Sequence, residues 1–188
     1  MKPFLRILVA TIGLLVIAGG ALFLVGGKQF PVIAETRIDA SPDQVFWRLI
    51  DPDEVKKWVA GLEQIEPLTE GGHRVGARAK LTMAQGNSRF ELEDEVLQSV
   101  PNQSLVVRMS GNMVQSISAV QLTSDRDATV VRQIGYFTPR GFFRLTAPFA
   151  HHEVQQKMQD DLTRLKSLVE AAPTTSTATA ETDKQLDE

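Results

Sequence analysis

The chain has 188 residues, with 20 Lys plus Arg, 23 Asp plus Glu, three His and no Cys, for a net charge of −3. That length suits one ordinary domain with appendages, and the lack of Cys excludes disulfides, thiolate metal sites and Cys nucleophiles. The mild acidity leaves no basic stripe to displace counterions from phosphates, so nucleic acid is excluded as a partner.

The first feature in chain order is the uncharged run 7–27, ILVATIGLLVIAGGALFLVGG, of 21 residues. As a helix rising 1.5 Å per residue it spans about 30 Å, the thickness of a bilayer's hydrocarbon layer. A cleaved signal sequence competes with this reading, but its apolar stretch usually has about 7–15 residues. Here only Val32 and Ala34 offer a late and poor small-x-small site. Residues 1–29 are therefore predicted to be a single-pass transmembrane anchor. Lys2 and Arg6 precede the span and all 23 acidic residues follow it. By the positive-inside rule the N-terminus stays in the cytoplasm, and the domain lies outside the cytoplasmic (inner) membrane.

Residues 30–172 form the expected folded domain. VIAETRI (32–38) reads as a strand, and Ser41-Pro42 then opens a helix that brings Val45, Phe46 and Leu49 to one face. Asp51-Pro52 stops it and starts a second short helix carrying Val55, Trp58 and Val59. Strands follow at Gln64–Leu68, Arg74–Met83, Arg89–Val100, Leu105–Met109, Gln115–Thr123 and Ala128–Thr138. Turn residues separate them, among them Gly71-Gly72, Gly86-Asn87, Pro101-Asn102 and Gly111-Asn112. Short links between consecutive strands imply an antiparallel sheet. A long helix closes the domain, with Pro148 in its first turn and Val154, Met158, Leu162, Leu165 and Val169 at helical spacing. Glu153–Lys157 and Asp160–Arg164 are the expected i,i+4 pairs on its wet side. Residues 173–188 are rich in Thr, Ala and acid, cannot bury enough surface to offset ordering entropy, and are expected to be disordered.

This order of elements resembles the START-like helix-grip superfamily (SRPBCC), especially its polyketide cyclase/dehydrase and lipid-transport branch. The resemblance rests on VIAETRIDASPDQVFWRLIDPDEVKKW (32–58), GGHRVGARAKLTM (71–83), LEDEVLQSVPNQSL (92–105), ATVVRQIGYFTP (128–139) and LTRLKSLVE (162–170). It implies an α+β fold: a seven-stranded curved antiparallel sheet around the long C-terminal helix, with two short helices after the first strand. It also implies a tunnel between helix and sheet for an apolar or amphipathic small molecule such as a lipid, quinone or polyketide. The superfamily has no shared catalytic motif, so no catalytic residue carries over.

The candidate chemistry is sparse. Asp94 falls in phase with Phe90, Leu92 and Val96, whereas Glu91, Glu93 and Glu95 fall on the other face. A carboxyl facing a tunnel is desolvated, which raises its pKa and makes it an acid or base. Tyr136, in phase with Val130, Arg132 and Ile134, and His152 at the start of the last helix are the other acid/base candidates. Adjacent helical residues point about 100° apart, so His151 and His152 cannot share a metal, and neither a metal nor a cofactor is expected. His73, in a Gly-rich turn, reads as exposed. Phe90, Leu92, Val107, Met109, Ile117, Phe137, Phe149 and Met158 are candidates to line the tunnel, the alternative for each being ordinary core packing. The sequence thus points to membrane-anchored binding or carriage of a hydrophobic small molecule. The alternatives are a cyclase/dehydrase-type enzyme using Asp94, Tyr136 or His152, and a ligand-free module acting through its surface. It names no protein partner.

Overall fold

The computed structural model describes the backbone of residues 2–172 and the side chains from Thr11 onward. Residues 173–188, the predicted tail, lie outside the described residues. The elements are α1 (Lys2–Val25), β1 (Phe30–Ile38), α2 (Pro42–Ile50), α3 (Pro52–Trp58), β2 (Leu62–Pro67), β3 (Arg78–Gln85), β4 (Ser88–Val100), β5 (Ser104–Ser110), β6 (Val114–Asp125), β7 (Ala128–Pro139), a 3₁₀ helix (Gly141–Leu145) and α4 (Ala147–Glu170). The seven strands form one antiparallel sheet in the order β1-β7-β6-β5-β4-β3-β2. This is the expected α+β helix-grip architecture.

Local chemistry sets the boundaries. Asp51 ends α2 and caps α3, its carboxylate accepting from the N–H groups of Asp53 and Glu54 at 3.0 Å each. Gln44 Oε1 accepts from the Ser41 N–H at 3.3 Å and closes the first turn of α2. β3 begins at Arg78 rather than Arg74, because Gly71, Gly72 and Gly76 adopt φ of +114°, +59° and +86° and hold 69–77 as a loop. The 3₁₀ helix between β7 and α4 is an element that the sequence patterns do not mark.

The buried core joins α2, α3 and the C-terminal part of α4 to part of the sheet. Val45, Phe46, Leu49 and Trp58 pack with Val32, Ala34, Ile38, Val120, Leu122, Val131, Leu162, Leu165 and Val169. β1 is an edge strand, and α4 lies along its free side. His151 Nε2 is 3.1 Å from Pro31 O, Gln155 Nε2 donates to Ile33 O, Gln159 Nε2 donates to Glu35 O at 3.1 Å, and Lys166 Nζ donates to Arg37 O at 2.7 Å. Two residues of strand advance about 6.8 Å and four residues of helix about 6 Å, so the first three contacts keep step. The carbonyls of an otherwise exposed edge are thereby satisfied. At the opposite edge, β2 is short and carries Glu63, Glu66 and Pro67.

The predicted wet-side pairs on α4 re-form elsewhere. Lys157 (2.8 Å) and Arg164 both bond to Asp161, which is buried. Asp161 also accepts from the Ala60 N–H at 3.0 Å, and Arg164 Nε donates to Trp58 O at 3.0 Å, so the end of α3 is clamped onto α4. Removing Asp161 leaves the part-buried Ala60 N–H without its acceptor and takes the carboxylate away from Arg164 and Lys157. Asp161→Ala is expected to lower stability in urea denaturation by about 3 kcal/mol, and Asp160→Ala, on the exposed side, by less than about 0.5 kcal/mol.

Candidate ligand-binding site

Strand register assigns the face of every side chain. One row across the concave face runs Phe30, Phe137, Ser116, Met109, Asp94 and Ala79. The next row toward α2 runs Val32, Gly135, Ser118, Val107 and Val96. Gly135 makes room there, since a Cβ would stand 2.6 Å from the Phe137 ring and 3.5 Å from Met158 Sδ. In the second row Val32, Gly135, Ser118 and Val96 are buried. In the first row Phe30, Phe137, Met109 and Asp94 are only half-buried, as are Leu92 and Phe90 beyond it and Leu81 and Met83 beside them on β3. The concave face is therefore filled toward α2 and thinly covered toward the end where β1 begins.

The eight predicted lining residues separate on this map. Phe90, Leu92 and Met109 lie on the concave face, half-buried and outside the main core cluster. Val107 and Phe137 share that face and pack against the core, and Met158 is part of it. Ile117 pairs with Tyr136 on the convex face, away from the tunnel side. Phe149 projects from the first turn of α4 and is 73% exposed. Ile117 therefore does not contribute to the concave surface, and Phe149 is open to solvent.

The acid/base candidates separate as well. Tyr136 is convex and exposed, and the His152 side chain is exposed on α4. Asp94 alone faces inward. Its sequence neighbours on the convex face each meet a cation: Glu93 is bonded to Arg78, Glu95 to Arg108 at 2.8 Å, and Glu91 lies 3.8 Å from Lys80. Asp94 sits between Leu92 and Val96 with Ala79 and Met109 across, and among the described residues it has no hydrogen-bond or ion-pair partner. Desolvation pushes its carboxyl up from the usual 3.8 to about 6, and the charge of Glu95 adds to the rise.

Three further polar groups on this face escape the sequence reading. Ser116 and Ser118 are buried, and Gln133 Nε2 donates to Ser118 Oγ at 2.9 Å, leaving Gln133 Oε1 buried and, among the described residues, without a donor. The Ser116-x-Ser118 spacing, in phase with Val120 and Leu122, is the sequence signal that marks them. A separate open depression of about 680 Å³ lies within loop 69–77, where the His73 ring stands edge-on to Phe46 at 6.4 Å. Among the described residues no group of three His, Asp or Glu side chains is placed to hold a metal ion.

A sheet gripping a C-terminal helix, with an apolar concave face broken by a few inward polar groups, defines a helix-grip protein. The model of the polyketide cyclase / dehydrase and lipid transport family matches residues 30–170, and the chain belongs to that family. In fold it is similar to protein CV1439 from Chromobacterium violaceum, with a TM-score of 0.63 and 17% identity over 76% of this chain and 98% of that one. TTHA0849 from Thermus thermophilus is similar at a TM-score of 0.61 and 19% identity, over 77% of this chain and 99% of that one. MLL2253 from Mesorhizobium loti gives 0.59 and 18%, over 74% and 96%. A comparison with curated proteins finds no match. The family supports binding of hydrophobic ligands in general.

The Asp94 environment carries a testable sign. The native carboxyl keeps its proton to higher pH than the unfolded one, so the native state binds more protons between about pH 4 and pH 6. Its cost is absent below that window and complete above it, on the order of 2–3 kcal/mol. Asp94→Asn is expected to gain stability relative to the parent by about 2 kcal/mol between pH 4 and pH 7, measured by urea denaturation at each pH. A difference that does not move with pH contradicts this.

Proposed function

We propose that this chain is a membrane-anchored binder or carrier of a hydrophobic small molecule, held on the concave face of the sheet beside α4. The observation that carries it is the half-buried apolar surface formed by Phe90, Leu92, Met109, Leu81 and Met83. Apolar surface left beside a finished core is surface a ligand can cover. This surface lies toward the end of the sheet where β1 begins, and α1 leads directly into β1 there.

The anchor is the second part of the proposal. Among the described residues no helix is long and apolar enough to cross a membrane; residues 7–10 of the predicted span lie outside the described side chains. In support of the anchor, α1 extends over 24 residues, and Leu14, Leu15, Val16, Ile17 and Leu24 are all exposed. Such a surface is at home in lipid. The C-terminal end of α1 packs on the 3₁₀ helix, with the Arg144 guanidinium 4.7 Å from the centre of the Phe23 ring. Phe142 and Phe149, 81% and 73% exposed, belong to the 3₁₀ helix and the start of α4. On this reading residues 1–29 anchor the chain in the cytoplasmic membrane with the N-terminus inside, and 30–172 work on the outer side.

A second reading, an enzyme of cyclase or dehydrase type, retains Asp94, which alone of its three candidates Asp94, Tyr136 and His152 faces inward.

Two measurements test the proposal. Native mass spectrometry of the full-length protein is expected to find one small apolar adduct, reduced roughly tenfold by Met109→Trp, which fills the half-buried face. An empty parent protein, or an adduct indifferent to the substitution, overturns the binding reading. Because the chain has no Cys, single introduced cysteines report position cleanly. A spin label at Leu15→Cys is expected to be reached by oxygen and not by a water-soluble nickel chelate, and Asn87→Cys to react with an impermeant maleimide from the outer side. Nickel access at the first, or blocked labelling at the second, overturns the anchor or its orientation.

A further inference from the structure

We infer that the concave face carries a polar subsite centred on Asp94, which receives the hydrogen-bond-donating end, a hydroxyl or an amine, of an otherwise apolar chain-like molecule. This rests on the hydrophobic-ligand reading above and narrows it to a chemical class. Asp94 faces inward between Leu92 and Val96, with Met109 and Ala79 across the ladder. Its oxygens have no donor among the described residues, whereas the carboxylates at 91, 93 and 95 have cations on the other face. A carboxylate accepts and does not donate, so the atom missing from this site is a donor hydrogen.

The position in the row gives the ligand a direction. Toward α2 the next row is closed by Val32, Gly135, Ser118 and Val96. In the other direction Leu92 and Phe90 continue the half-buried surface from Asp94 along β4. A donor head at Asp94 therefore leaves its apolar chain along Leu92 and Phe90, toward the hairpin between β3 and β4. Ser116 lies in the same row beyond Met109, two strands and about 10 Å away, too far to share a single head group. It is 4% exposed and its hydroxyl has no partner among the described residues, so it can take a second polar group. A fatty carboxylate is the disfavoured end group, because it sets one anion against another in a desolvated place.

The test uses full-length protein in amphipol and three probes with one chain length: dodecan-1-ol, dodecylamine and dodecanoate. Isothermal titration at neutral pH is expected to rank the alcohol and the amine at least about tenfold tighter than the carboxylate. Asp94→Leu is expected to abolish that ranking. Asp94→Asn keeps the shape and an acceptor, and is expected to weaken the amine by about tenfold while sparing the alcohol. Equal binding of all three by the parent protein, or an unchanged ranking in both variants, overturns the subsite and leaves the hydrophobic-ligand reading standing. If none of the three binds, the ligand reading itself falls and the subsite falls with it.

Discussion

The bonds between α4 and the free edge of β1 govern the rest of the domain. Side chains at 151, 155, 159 and 166 reach the carbonyls of 31, 33, 35 and 37, so helix and strand run side by side in the same direction. A helix lying centrally across a seven-stranded sheet would cover both halves of its concave face. One fixed to an edge strand covers the near half and leaves the far half to whatever else the chain supplies. α2 and α3 supply cover at one end, and Asp161 with Arg164 holds them to α4. The half-buried apolar patch on β3, β4 and β5 is the geometric remainder of those two attachments.

That remainder explains why one carboxylate differs from its neighbours. Residues 91 to 95 are nearly all acidic, yet strand alternation sends Glu91, Glu93 and Glu95 to the convex face, where Lys80, Arg78 and Arg108 meet them. These exposed pairs contribute little individually to stability. Asp94 is turned inward by the same alternation, where its neighbours along and across the strands are Leu92, Val96, Ala79 and Met109. Its unfavourable position persists because the strand is held by its other residues, a common origin of reactive or binding groups. The face that leaves Asp94 without a partner is also the least covered, so a donor from outside the chain can reach it.

Much of this is legible in the sequence, and the failures have definite causes. All seven strands and both short helices can be placed within a few residues, because strand alternation and the Asp51-Pro52 stop are local signals. The phase of Asp94 with Phe90, Leu92 and Val96 assigns its face correctly. Ile117 is misassigned, because apolar-inward logic fails at Ser116-Ile117-Ser118: the serines face the helix and the isoleucine faces out. Only the pairing of Ser116 with Met109 and Phe137 reveals this, and pairing is a long-range property. β7 misleads for a related reason. Val130 and Ile134 on the convex face are as apolar as Val131 and Gly135 on the concave one, so alternation cannot place Tyr136. Asp161 and Arg164 escape notice because their partners, Ala60 and Trp58 respectively, lie about a hundred residues away and are bound through backbone atoms.

The junction between α1 and the domain adds a constraint on orientation. A Cβ on Gly26 would collide with the Arg144 backbone carbonyl, so only glycine permits this approach there, whereas one on Gly27 would meet the movable end of the Arg144 side chain. Arg144 is thus enclosed by backbone on one side and by the Phe23 ring on the other. Gly26, pressed against the backbone of the 3₁₀ helix, sets the direction in which α1 departs. That direction belongs to the same end of the sheet as Phe30, Phe137 and the thinly covered apolar surface. On the anchored reading, an apolar molecule leaving the bilayer would have only a short distance of water to cross before reaching that surface. On that reading the arrangement would reduce the exposure of apolar groups to water during transfer, which is the dominant cost in moving such a molecule between lipid and protein.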